Sequence, residues 1–272
     1  MRLATVVEGG RTAVAVVRGE RLLVLPPGQA GMASIRRLAA AGPDVLDRVR
    51  SWLDGQPADA GRPIDEVDLA PAIPDPGAIF TIGLNYRDPA GPPTTRPERP
   101  LVYGKLPTSV AAHRATLGWD RSVTPNVDAE CELGVVIGSS ASRFGYTIVN
   151  DVSSRDAWLD GDQWLLGKSM PGFCPIGPWI VTADELDPSD LALGSMINGE
   201  PIQDGRTADM RFSIREIVAF LTRHVWLEPG DVIATGTPAR LAAPPGPDRR
   251  LQAGDVVTAW IEGIGELTST ID

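Results

Sequence analysis

The stretch Val127-Asp128-Ala129-Glu130-Cys131-Glu132-Leu133-Gly134-Val135-Val136-Ile137-Gly138 constrains this chain more than any other. Leu133 to Ile137 is an unbroken apolar run closed by Gly138, the pattern of a buried strand. Side chains two apart on a strand share a face. Glu130 and Glu132 therefore project together, and Cys131 points the other way. Two carboxylates held that close repel unless a cation or a shared proton sits between them. Paired oxygen ligands suit Mg²⁺, Mn²⁺ or Ca²⁺. The pattern is short, and taken alone it fits a solvated strand end with two exposed acids better than a metal site.

A buried strand needs a core around it, and 272 residues that are 43% hydrophobic supply enough for one large domain or one and a half. The formal net charge of -10 argues against nucleic acid or an anionic membrane as partner. It fits an enzyme that meets small molecules in a local pocket. No stretch approaches the ~20 apolar residues of a membrane helix. The first residues lack the apolar segment and small-residue cleavage pattern of a signal peptide. Cys131 and Cys174 do not make a disulfide framework, and a cytoplasmic location is the expected default. The 25 prolines and 29 glycines imply many short elements and turns, so the expected fold class is α+β, mostly β.

Residues 1–70 read as a small leading domain. Leu3 to Val7, Ala13 to Val17 and Leu22 to Leu25 are short strands. Val45, Leu46, Val49, Trp52 and Leu53 recur at helical spacing, with Asp44 as the expected N-cap. Leu69 to Gly77, with Pro71, Pro74 and Pro76, is an extended linker into a second domain, 71–272. There Ile79 to Leu84 is a buried strand running into Asn85-Tyr86-Arg87. Asp88 to Pro100 reads as a mobile loop, and Leu101 to Lys105 as another strand. Tyr146 to Val149 is a strand that delivers Asn150-Asp151 at its end. Ala192 to Ile197, Asn198-Gly199 and Glu200 to Gln203 form a hairpin whose Asn-Gly pair favours a type I′ turn. Ser213 and Glu216 make a capping box for a helix with the apolar face Ile214, Ile217, Val218, Leu221 and Val225. His224 falls in its last turn, where a helix-end role suits it. Gly230 to Pro238 is a strand running into a Gly-Thr-Pro loop, and closing strands lie between Leu251 and Leu267.

Seven motifs now stand in one order: GLNYR (83–87), DAECELGVVIG (128–138), GYTIVNDVSSRD (145–156), GKS (167–169), FCPIGPWIVT (173–182), INGEPIQDGRTADM (197–210) and LEPGDVIATGTPA (227–239). Together they resemble the fumarylacetoacetate hydrolase family over about residues 78–270. The resemblance implies a mixed β-sandwich roll behind a small N-terminal domain, a Mg²⁺ or Mn²⁺ site, and usually a homodimer. The implied substrates are 2-oxo or 2,4-dioxo acids, often from aromatic breakdown. By motif, the metal ligands are Glu130, Glu132 and Asp151, which agrees with the strand reading above. Lys168 matches the active-site lysine, placed to stabilise an enolate or shuttle a proton. Arg155 matches an arginine that faces the site; it either binds a substrate carboxylate in bidentate fashion or braces the acidic cluster. Gly236 and Thr237 match a loop whose N–H groups suit a substrate carboxylate, and a tight turn after a strand is the alternative. Tyr86 of GLNYR joins the expected substrate-binding residues.

The chain also departs from the pattern it resembles. Relatives that cleave C–C bonds commonly carry a histidine soon after the Asn-Tyr motif, paired with a glutamate, to activate water. Here Arg87-Asp88 is followed by Pro89, no glutamate comes before Glu98, and His113 stands in a different motif context. Met170-Pro171-Gly172 replaces a common aspartate after GKS. Trp158 stands where a glutamine is frequent, and the nearby Gln163 either stands in for it or does not. The segment between Gly138 and Gly145 is too short for the helix usual there. The expected activity is metal-dependent hydrolysis of a C–C bond in an acylpyruvate-like acid. Tautomerisation or decarboxylation of a 2-oxo acid needs no attacking water and is the alternative, and a silent family member that binds a metabolite is the third.

Overall fold

The computed structural model describes residues 1–26, 34–87, 97–241 and 250–272. Most of the stretch read as a mobile loop, residues 88–96, lies outside the described residues. The chain opens with β1 (Arg2–Glu8), β2 (Arg11–Arg18) and β3 (Arg21–Val24), then α1 (Ile35–Ala41), α2 (Pro43–Asp54) and β4 (Arg62–Pro63). It continues with β5 (Ile79–Gly83), β6 (Leu101–Lys105), β7 (Val110–Ala111), β8 (Ala115–Leu117), β9 (Val127–Asp128), β10 (Cys131–Ile137), β11 (Arg143–Asn150) and β12 (Ser153–Ser154). The helices α3 (Ala157–Gly161) and α4 (Trp164–Lys168) precede β13 (Cys174–Thr182), β14 (Ala192–Ile197) and β15 (Glu200–Arg206). Helix α5 (Ile214–Leu221), β16 (Val232–Ala234), β17 (Val256–Ile261) and β18 (Gly265–Ile271) complete it.

The strands form a large mixed sheet in the order β4-β3-β2-β1-β13-β11-β10-β16-β5-β6 and a second sheet in the order β15-β14-β17-β18-β8. Their facing sides share one core, in which Leu133 and Val135 of the first sheet meet Leu193, Ala259 and Leu267 of the second. This is the expected mixed β sandwich. The first three strands are not a sheet apart. β1 pairs antiparallel with β13, placing Arg2 opposite Val181, so the leading residues extend the main sheet.

β10 is buried along its whole length because both its faces are covered. Cys131, Leu133, Val135 and Ile137 belong to the inter-sheet core, and Val136 to the core under α1 and α2. That double coverage explains why the run is apolar throughout.

Several local expectations meet their physical reasons here. The Asn198-Gly199 turn has φ of 54° and 83°, as a type I′ turn requires. Ser213 and Glu216 form the capping box. Two expectations are corrected. Asp44 is not the N-cap of α2: Pro43 opens the helix and Gly42 holds the cap position, because a first-turn proline needs no N–H partner. Helix α5 ends at Leu221, so Val225 is exposed and His224 lies beyond the helix, its Nδ1 2.8 Å from Phe220 O. Helix α1, capped by Ser34, was not expected, since seven residues give too few turns for a periodic signal.

His113, between β7 and β8, accepts a hydrogen bond at Nδ1 from Thr268 N (3.2 Å). It borders a cavity of about 480 Å³ with Trp179, Asp65 and Glu266. Burial, reinforced by the Arg114 cation, pushes its pKa down from 6.5 to about 4. With only two histidines in the chain, an NMR titration should show one imidazole with a midpoint near 4. Between 6.5 and 4 the unfolded chain takes up a proton that folded His113 refuses. Stability is therefore present above pH 6.5 and lost as the pH falls towards 4. Urea unfolding of His113→Gln should show a shallower acid loss than the wild type.

Candidate metal centre and its pocket

The β10–β11 pairing assembles the acidic cluster. Cys131 lies opposite Asn150 and Glu132 opposite Val149, so residues 130–132 and Asp151 come together at one end of the pair. Asp151 N donates to Glu130 O (2.9 Å), and Glu130 N to Asn150 Oδ1 (3.1 Å). One oxygen each from Glu130, Glu132 and Asp151 lies within 4.8 Å of the others. Glu132 and Asp151 are buried, and Glu130 is partly buried.

Each carboxylate has one oxygen held by a fixed donor. Arg155 Nη2 donates to Glu130 Oε1, Gly236 N to Glu132 Oε2 (2.8 Å), and Lys105 Nζ to Asp151 Oδ1 (2.5 Å). Lys168 Nζ takes the remaining oxygens of two of them, Asp151 Oδ2 (2.5 Å) and Glu130 Oε2 (3.3 Å), and also donates to Ser153 Oγ (2.7 Å). The ammonium thus occupies the oxygens that a metal ion would need.

The electrostatics follow from burial and proximity. Burial raises the Glu132 carboxyl well above the usual range, and the Asp151 and Glu130 charges add to it. Burial also opposes the ionised form of Asp151, but Lys105 and Lys168 outweigh it and bring its pKa down to about 2. For Lys168, burial disfavours the ammonium, yet Asp151, Glu130 and Glu132 overcome that and hold it above the ordinary lysine value. A hard divalent cation fits this all-oxygen set, and its charge would relieve the repulsion felt by Glu132.

The cluster lines a cavity of about 450 Å³. Its other walls include Ile82, Leu84, Tyr103 and Trp164, and the last two rings stack at 4.7 Å. Leu84 turns the chain at φ 54°, a costly conformation for a bulky residue. Tyr86 and Thr237 also line the cavity. Thr237 Oγ1 donates to Cys131 O (2.7 Å) and accepts from Gln203 Nε2 (2.7 Å). The Gly236 amide is taken by Glu132, so it positions one of the clustered carboxylates. Its φ is +98°, and a Cβ there would lie 2.8 Å from both Ile82 O and Asn85 Cβ. Arg155 binds Glu130 and lies 3.7 Å from Asp128 Oδ2 and 3.5 Å from Asp160 Oδ1.

Sequence reasoning missed Lys105, Gln203, Asp128 and Arg240. Lys105 read only as the end of a strand and Gln203 only as part of a hairpin. Arg240 binds Asp128 from the far side of the Gly-Thr-Pro loop, a contact with no local signal. Asp128 is buried and also accepts from Arg250 (3.1 Å). Trp158 and Gln163 are exposed and neither lines the cavity; among the described residues Gln203 is the glutamine that does. Neither His113 nor His224 lines it either.

Residues 78–272 match the model of the fumarylacetoacetate (FAA) hydrolase C-terminal domain, and the chain belongs to that family. Its structure is similar to that of a fumarylacetoacetate hydrolase from Exiguobacterium antarcticum (31% identity, TM-score 0.84, covering 100% of this chain and 99% of that one). It is similar to a 5-carboxymethyl-2-hydroxymuconate delta-isomerase from Mycobacterium smegmatis (28%, TM-score 0.77, 100% and 99%). It is also similar to a maleylpyruvate hydrolase from Sphingobium sp. SYK-6, solved with manganese(II) and pyruvate (25%, TM-score 0.80, 100% and 98%).

Replacing Gly236 should disturb both backbone and ligand. Gly236→Ala is expected to lose about 1–3 kcal/mol of stability in chemical unfolding and to bind Mn²⁺ more weakly by calorimetry.

Proposed function

We propose that this chain is a divalent-metal-dependent hydrolase that cleaves a C–C bond in a 2,4-dioxo acid of the acylpyruvate type. The observation that carries this reading is the convergence of Glu130, Glu132 and Asp151 within 4.8 Å, with the Lys168 ammonium on the open oxygens of Glu130 and Asp151. A Mg²⁺ or Mn²⁺ ion held by these three carboxylates would supply Lewis acidity toward the 2-oxo acid end of the substrate. Lys168, kept as an ammonium by its carboxylate neighbours, acts as a donor: it stabilises negative charge on the enolate and returns a proton to it. Arg155 keeps Glu130 in place. Tyr103, Trp164 and Ile82 form an apolar wall for the acyl part and exclude water from it. The similarity to a maleylpyruvate hydrolase solved with manganese(II) and pyruvate supports the reading, because pyruvate is the fragment that hydrolysis of an acylpyruvate releases. We place the working protein as a homodimer, to be checked by light scattering.

One observation favours a second reading. The chain has two histidines, and neither lines the cavity, so no imidazole is placed to activate water. Tautomerisation or decarboxylation of a 2-oxo acid on the same centre needs only the cation and a proton donor. The similarity to an isomerase supports it.

Acetylpyruvate and oxaloacetate, assayed with Mg²⁺ or Mn²⁺ and with EDTA, test both readings. Hydrolysis yields pyruvate and a carboxylic acid, tautomerisation changes only the enol absorbance, and decarboxylation releases CO₂. EDTA and Glu132→Gln should abolish turnover. Lys168→Met should lower kcat about 10²–10⁴-fold while binding Mn²⁺ more tightly, since a competing cation has gone. Turnover indifferent to EDTA and to Lys168→Met would overturn the proposal.

A further inference from the structure

We propose that Lys105 is a positioning residue that makes Asp151 a one-oxygen ligand and so keeps a coordination position open for substrate or water. The proposal rests on the metal reading above. The Lys105 side chain is 0% exposed and that of Asp151 2%. Its Nζ donates to Asp151 Oδ1 at 2.5 Å and to Val152 O at 3.0 Å. Taking an ammonium out of water is costly unless it is paired and hydrogen-bonded. Lys105 does not line the cavity, so its reach toward the site goes through Asp151.

The backbone fixes where this ammonium sits. β6 pairs antiparallel with β5 from Gly83–Leu101 to Ile79–Lys105, which sets the register of Lys105. The end of β6 is then tied to the segment that carries Lys168. Leu106 N donates to Ser169 Oγ (2.9 Å), and Tyr103 stacks on Trp164. The two lysines therefore approach Asp151 on different oxygens, Lys105 on Oδ1 and Lys168 on Oδ2. Lys168 sits where an arriving cation would replace it, whereas Lys105 lies behind the carboxylate and stays. Arg155 and the Gly236 amide hold one oxygen each of Glu130 and Glu132 in the same way. A six-coordinate ion with three one-oxygen ligands keeps about three positions for substrate and water. With Lys105 gone, Asp151 can chelate through both oxygens, and one of those positions is lost.

Water-proton relaxation of the Mn²⁺-loaded protein reads this directly, without catalysis. Lys105→Met should show relaxivity per bound Mn²⁺ lower by about one third, one exchangeable water of three. Its kcat should fall about 10–100-fold. Lys105→Gln keeps N–H donors for Oδ1 and the Val152 carbonyl and should match the wild type in relaxivity. Equal relaxivity in all three proteins would overturn the proposal alone, leaving the metal site intact. Loss of Mn²⁺ from folded Lys105→Gln as well as Lys105→Met would also overturn it, because a donor would then not suffice. If Lys105→Met does not fold, the wild type decides: three exchangeable waters are expected, and two would overturn the proposal. A wild type that binds no Mn²⁺ would overturn the metal reading and this proposal together.

Discussion

Three carboxylates whose oxygens lie within 4.8 Å of one another repel strongly where water cannot screen them. Glu132 and Asp151 are almost wholly buried, so the repulsion has to be met by fixed partners. Two lysines, one arginine and one backbone amide meet it: Lys168 on two oxygens, and Lys105, Arg155 and the Gly236 amide on one carboxylate oxygen each of the three. Cation charge alone is not enough: the donors must arrive from directions that leave the inward oxygens facing a common point. Much of the surrounding structure sets those directions.

Asp151 directly follows β11 and the two glutamates lie at the head of β10, so strand pairing fixes the distance between the carboxylates before any side chain is chosen. Gly236 reaches Glu132 because β16 lies on the other side of β10. Asn85 holds that arrangement shut. It is fully buried, donates through Nδ2 to Thr235 O (2.7 Å) and Phe212 O (3.2 Å), and accepts from Phe212 N at Oδ1 (2.9 Å). The residue before Gly236 and the start of α5 are thus tied to the end of β5. Thr235 Oγ1 also donates to Leu133 O (2.9 Å). The Asn-Tyr motif is in this sense structural through its asparagine and faces the pocket through its tyrosine.

A second charge cluster lies beside the first. Asp128, two residues before Glu130, is buried, and Arg155, Arg240 and Arg250 surround it. Arg155 belongs to both clusters, since it also holds Glu130. Burial pushes the Asp128 carboxyl up, while Arg240 pulls it down. A change at Asp128 would thus reach the three clustered carboxylates through a shared guanidinium. Arg155 thus links the two clusters.

Local order was legible where one residue type has one reason to be there. The apolar run of β10, the Asn198-Gly199 turn, the Ser213–Glu216 capping box and the same-face pair Glu130 and Glu132 could all be read from spacing, because strand and helix periods are local properties. The motif order carried the fold and named Asp151 and Lys168. What spacing could not show was pairing across the chain. Lys105 looks like any strand-end lysine until β6 is laid beside β5 and Asp151 arrives from β11. Arg240 and Gln203 become site residues only through contacts more than thirty positions away in the chain, and Gly236 proves to serve Glu132. The sequence determined which carboxylates are present and which face they share. Only the tertiary structure decided which oxygen of each is held and which is open, because that depends on donors delivered by strands and loops far apart in the chain.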